Sequence, residues 1–133
     1  MLDLALHQGP ELIPIQDVAR RQGIPQRYLE QVLLLLKRAG YLASKRGSAG
    51  GYRLVRPAGE VSVGDVLRAV EGRLNPVEVA GRDSRGREGG RDLSELWAAV
   101  AEAVAAVIDR TTVEQLVERV AARRSSSRAM YHI

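Results

Sequence analysis

Two helix-like stretches joined through Gly23-Ile24-Pro25 and followed at once by a glycine-rich hairpin constrain this chain more than any other feature. Pro14 opens the first at a first-turn position, where its missing N–H removes no hydrogen bond. Ile15, Val18 and Ala19 make its inner face. Pro25 opens the second, which runs to about Ala39 with Tyr28, Leu29, Val32, Leu33 and Leu36 at helical spacing before Gly40 stops it. Small Ala19 lets the two helices approach, Gly23 permits the turn, and Val18, Ile24, Leu29 and Val32 fill the wedge. This is the arrangement of a helix-turn-helix, whose second helix enters the major groove of DNA, although a plain helical hairpin carries the same periodicity.

The next stretch, "YLASKRGSAGGYRLV", reads as a strand over residues 41–45, a tight turn, and a return strand over residues 52–55. Gly47, Gly50 and Gly51 admit backbone conformations closed to residues with a Cβ, so the tip can be thin. Lys45, Arg46, Gly47 and Ser48 then stand at that tip, suited to phosphates or a narrow minor groove. Tyr52 and Leu54 alternate onto one face and pin the hairpin to the helices. A nucleotide-binding phosphate loop fits less well, because "GSAGG" lacks both the GxxxxGK[ST] spacing and a following helix. The hairpin reads as a wing.

Charge supports an anionic partner. Residues 1–60 hold nine basic and five acidic side chains, whereas residues 61–133 hold eleven of each, so the whole net charge of +4 lies in the half carrying the helix corner and the wing. The chain has no cysteine, which removes disulfides, thiolate catalysis and cysteine-ligated metals. His7 and His132 lie far apart without ligand-spaced partners, so no metal site, cofactor or catalytic residue is assigned and no enzyme is expected. With no apolar run of about 18 residues and no signal-peptide layout at the start, the chain is expected to be soluble and cytoplasmic, without a membrane partner.

Beyond the wing, Ser62 caps a helix over residues 63–70, with Asp65 in its first turn and Val63, Val66, Leu67 and Val70 as core. Residues 79–92 are rich in Gly, Arg and mixed charge and are expected to form a flexible, solvated loop. Leu93, Trp97, Val100, Val104 and Val107 then recur at spacings of four, three, four and three, with Leu96 and Ile108 widening the seam. So apolar a helix needs a partner, and pairing of two copies is the economical one, a core helix of one subunit being the alternative. A short helix follows, capped by Thr111 or Thr112, with Val113, Leu116, Val117 and Val120 inward, and the polar end is expected to fray. The fold class is therefore mainly α with a small β-wing. A winged helix-turn-helix domain spans residues 1–78, the loop residues 79–92, the dimerisation helices residues 93–124 and the tail residues 125–133.

The runs "YLEQ", "RGSAGGYRL" and "IDRTTVEQL", set within nearly the whole chain, resemble the bacterial Rrf-two family of winged-helix transcriptional regulators. The resemblance implies a homodimer on a palindromic double-stranded operator, expected to act as a repressor. It also implies a first helix longer than Leu2 to Leu6, beginning upstream of this sequence. Family members that hold an iron–sulfur cluster carry three cysteines in the loop matching residues 79–92; none is present here, which points to the cluster-free, CymR-like branch. That branch implies a link to cysteine or sulfur metabolism. The alternative it implies is a module that docks a metabolic enzyme such as cysteine synthase and binds DNA weakly. Position by position, the family's recognition residues match Arg27, Tyr28 and Glu30, and its wing arginine matches Arg46. Arg27 and Tyr28 suit phosphates, Glu30 suits a cytosine amino group, and Arg46 suits a narrow minor groove. Gln26 and Gln31 lie beside them and can read adenine.

Overall fold

The structure, a computed structural model, describes the backbone of residues 1–71 and 90–131 and the side chains of residues 1–71 and 93–129. The chain divides into two compact units, Met1–Val61 with Thr112–Ile133, and Ser62–Thr111. The first unit holds helices α1 (Leu2–Leu6), α2 (Ile15–Gln22) and α3 (Gln26–Arg38), strands β1 (Leu42–Lys45) and β2 (Gly51–Leu54), and a 3₁₀ turn over Ala58–Glu60. The second holds α4 (Val63–Glu71) and α5 (Gly90–Arg110), after which α6 (Val113–Tyr131) returns to the first.

The helix corner forms as its punctuation predicts. Gly23 takes φ 64°, and the Ile24 N–H donates to the Ala19 carbonyl at 3.1 Å, closing α2. At the end of α3, Gly40 takes φ 87°; its N–H donates to the Lys37 carbonyl and that of Tyr41 to the Leu36 carbonyl. This paired closure satisfies two terminal carbonyls and turns the chain straight into β1. Val18, Leu29, Leu33 and Leu36 are buried together with Leu42 and Leu54, which face each other across the hairpin. Each such side chain contributes about 1.5–3 kcal/mol by leaving water.

β1 starts one residue later than expected, and β2 lies one residue earlier than expected at both ends. The Tyr41 N–H is committed to closing α3, so the ladder starts at Leu42 and ends where Lys45 pairs with Gly51. Ile13, ahead of α2, adds a bridge that sequence reading did not anticipate. Its N–H donates to the Tyr52 carbonyl at 2.9 Å, and the Tyr52 N–H donates back at 2.8 Å. The outer edge of β2 is thereby tied to the entry of the helix corner.

α1 packs against α2 and α6, burying Leu4 beside one charged residue, Asp3. The Asp3 carboxylate accepts two hydrogen bonds from Arg21, at 2.7 and 3.1 Å, and one from Gln22 at 2.8 Å. These donors, Arg21 foremost, hold its carboxyl below the usual range despite burial. α6 begins with a reciprocal cap: the Gln115 N–H donates to the Thr112 hydroxyl, and the Thr112 N–H to the Gln115 side-chain oxygen. The tail expected to fray is instead helical to Tyr131, since Ala121 to Met130 contain no Gly or Pro and the ladder continues unbroken.

In the second unit Ser62 and Asp65 form the predicted capping pair, at 3.0 Å in each direction. Gly64 is buried, and a side chain there would meet Asp109 of α5; Arg68 donates to the same Asp109 at 2.7 Å. Leu67 departs from its expected core position and is exposed, because glycine rather than leucine makes the close approach. α5 begins at Gly90, three residues ahead of Leu93, and the expected loop lies outside the described residues as far as residue 89.

Candidate nucleic-acid interface

The exposed side of α3 follows from its buried side. With Leu29, Leu33 and Leu36 inward, a repeat of 3.6 residues turns Arg27, Glu30, Gln31 and Leu34 outward as one stripe. Gln26, Arg27, Tyr28, Glu30 and Gln31 are all exposed, Tyr28 at 60%. Tyr28 belongs to the surface although it was read also as part of the helix's apolar repeat. Pro25 stands at the N-cap and offers no side-chain hydrogen bond, so the first N–H groups of α3 point outward beside Arg27.

The wing supplies the second part. Lys45, Arg46, Gly47 and Ser48 are exposed at the tip. Gly47 takes φ 118° and accepts from the Gly50 N–H at 3.0 Å, while a Cβ on Gly50 would overlap the Lys45 carbonyl oxygen. Glycine is required there, and the tip stays as narrow as expected. Among the described residues, Arg27, Lys37, Lys45 and Arg46 enter no ion pair, so their charges remain available to a partner.

A cleft of about 360 Å³ lies between the wing and the helix corner. Pro14, Ile15 and Gln16 line it from the start of α2, Leu34 and Lys37 from α3, and Lys45, Arg46 and Gly47 from the wing. Sequence reading singled out the wing residues but not Gln16, Leu34 or Lys37. The signal was present in the spacing of Arg27, Glu30, Gln31 and Leu34, which leaves Leu34 off the apolar repeat of Leu29, Leu33 and Leu36.

In the second unit the seam of α5 is open. Leu93, Leu96, Trp97, Val104 and Val107 are exposed, Val107 at 66%, whereas Val100 and Ile108 are half-buried. α4 packs on α5 without covering this seam.

A helix corner with an outward, mostly polar stripe and a basic, glycine-tipped wing is the geometry of a winged helix-turn-helix. The family model for Rrf2, described as an iron-dependent transcriptional regulator, matches residues 1–119. The chain belongs to the Rrf2 (Rrf-two) family of transcriptional regulators. It is 38% identical to the HTH-type transcriptional regulator IscR of Vibrio atlanticus over 120 residues, 89% of this chain and 68% of that protein. Among solved structures it resembles CymR of B. subtilis, the global cysteine regulator, with a TM-score of 0.71 at 33% identity over 89% of this chain and 87% of that one. T. potens IscR gives a TM-score of 0.70 at 30% identity, covering 90% and 78%.

Membership establishes a DNA-binding regulator rather than an enzyme, with the mainly helical fold and two-stranded wing expected from the sequence. The iron in the family's description does not fit the donor set of this Rrf2 chain. It has no cysteine to ligate an iron–sulfur cluster, and the described residues contain no group of three or more His, Asp or Glu placed to hold a metal. No described helix is long and apolar enough to cross a membrane.

Proposed function

We propose that this chain is a cluster-free repressor that binds a roughly palindromic operator as a homodimer. α3 enters the major groove, and the wing tip follows phosphates or the flanking minor groove. The observation carrying this reading is a set of exposed cations without an ion pair among the described residues: Lys37 of α3 with Lys45 and Arg46 of the wing around one cleft, and Arg27 on the same helix α3. Arg27, Tyr28 and Arg46, with the glycine tip and Ser48, position the phosphates; Gln26, Glu30 and Gln31 read base edges.

Pairing rests on the exposed seam of α5, an apolar row that water disfavours and a second copy covers. The likeness to a global cysteine regulator supports a role in cysteine or sulfur metabolism. The same seam leaves room for a second reading, docking of a metabolic enzyme such as cysteine synthase.

Selection of duplexes from a random pool, followed by gel-shift titration at several salt concentrations, tests the proposal. A symmetric preferred site, bound by two chains and weakened steeply by salt, is expected. Uniform weak binding to every duplex, tightened only by an added enzyme, would favour the docking module.

A further inference from the structure

Leu34 stands at the centre of the outward stripe of α3, opposite the buried Leu29, Leu33 and Leu36, and is 43% exposed. A leucine at that position forgoes part of the burial that would stabilise it in a core. Its surroundings are cationic, since it shares the cleft wall with Lys37, Lys45 and Arg46. An apolar spot ringed by unpaired positive charge suits a partner that offers both phosphates and an apolar group. Duplex DNA does so at thymine, whose C5-methyl projects into the major groove.

Spacing agrees. Arg27, Glu30, Gln31 and Leu34 fall at i, i+3, i+4 and i+7, the spacing with which homeodomain recognition helices read the major groove. Leu34 lies about 10 Å along α3 from Arg27, roughly three base-pair steps. Leu35 is also exposed but lies off the cleft wall.

We infer that Leu34 is a specificity-determining residue that contacts a thymine methyl in the operator, while Lys37 neutralises a neighbouring phosphate. This rests on the DNA-binding reading above and adds to it a base and the residue that reads it. The contact is apolar and methyl-sized, so it discriminates without a hydrogen bond.

The full chain is titrated by anisotropy against its selected duplex and against versions in which each thymine is replaced in turn by uracil, which removes only the methyl. One thymine per half-site is expected to cost the wild type about three- to fivefold in affinity on replacement, the effect of one methyl group leaving apolar contact. L34A is expected to bind the thymine and uracil duplexes equally, and Leu34→Met to restore the difference. Lys37→Ala is expected to weaken both equally and to lower the salt dependence. A preferred duplex indifferent to uracil at every position, or a uracil effect that persists in L34A, overturns the assignment of Leu34 alone. A pool that yields no preferred duplex overturns the DNA-binding reading and this inference with it. Unchanged circular dichroism of each variant verifies that the exposed substitutions leave the fold intact.

Discussion

The α-carbon of Gly51 lies so close to the backbone of Ile13 that a methyl group placed there would overlap the Ile13 carbonyl oxygen. Gly51 also takes φ 154°, and its neighbour Tyr52 exchanges two backbone hydrogen bonds with Ile13. One glycine thus lets the wing lie against the strand-like entry to α2. Gly51→Ala is expected to cost about 2–3 kcal/mol, because the obstacle is backbone and cannot rotate away. Gly9→Ala, where nothing lies within 4 Å, is expected to stay within about 0.5 kcal/mol. Urea unfolding of both variants measures the difference.

Asp3 ties α1 to α2 through Arg21 and Gln22. Its folded-state carboxyl titrates below that of the unfolded chain, so its contribution is complete above about pH 4 and fades as pH falls further. Asp3→Asn is expected to lose on the order of 2 kcal/mol at pH 7, because the buried Asp3 side chain gives up its charge-assisted bonds from Arg21. At pH 3 the gap between wild type and variant narrows. Denaturant titrations at the two pH values show the narrowing; a constant gap would sink the assignment.

Glu30 and Arg46 are expected to fail differently. Glu30→Ala relaxes preference at one base pair by about 1–3 kcal/mol, since a carboxylate's base partner is a cytosine amino group. Arg46→Ala weakens all duplexes alike and lowers the slope of log affinity against log salt by about one. Affinities across single-base operator variants at three salt concentrations separate the two.

The seam of α5 predicts a change of assembly. Leu96→Asp with Val104→Asp places two charges on exposed apolar positions, away from Gly64 and Arg68, which meet α5 at Asp109. Sedimentation is expected to fall from two chains to one, with operator affinity down more than about tenfold as one half-site contact is lost. A variant that still sediments as a pair would place the dimer contact elsewhere.

Thr112→Ala removes the hydroxyl that accepts the Gln115 N–H at 3.1 Å and should lower the melting free energy by about 1 kcal/mol. Thr112→Ser, keeping the hydroxyl, is expected to recover most of it. Thermal unfolding of the pair supplies the comparison.

The punctuation of the first unit was plain in the sequence because Gly and Pro act locally. Gly23, Pro25 and Gly40 mark turns through their own φ angles and missing N–H, whatever packs around them. The capping pair of Ser62 and Asp65 was legible for the same reason, its partners lying three residues apart. The exposure of Gln26, Arg27, Glu30 and Gln31 and of Lys45 to Ser48 followed from helical period and turn chemistry.

Tertiary structure alone decided the rest. The Ile13–Tyr52 bridge joins residues far apart in the chain, and no local preference announces such a pairing. Leu67 reads as core by type and Tyr28 by spacing, yet both are exposed, since which apolar side chains are buried depends on which faces neighbouring elements cover. The helical continuation of α6 to Tyr131 ran against a polar composition that suggested fraying. From residue order alone came the helix corner, the thin basic wing and the absence of cluster ligands, because each depends on residue identity or neighbours a few positions away. The cleft that gathers Gln16, Leu34, Lys37 and Arg46 needed the folded chain, since only long-range packing brings separated segments to one wall.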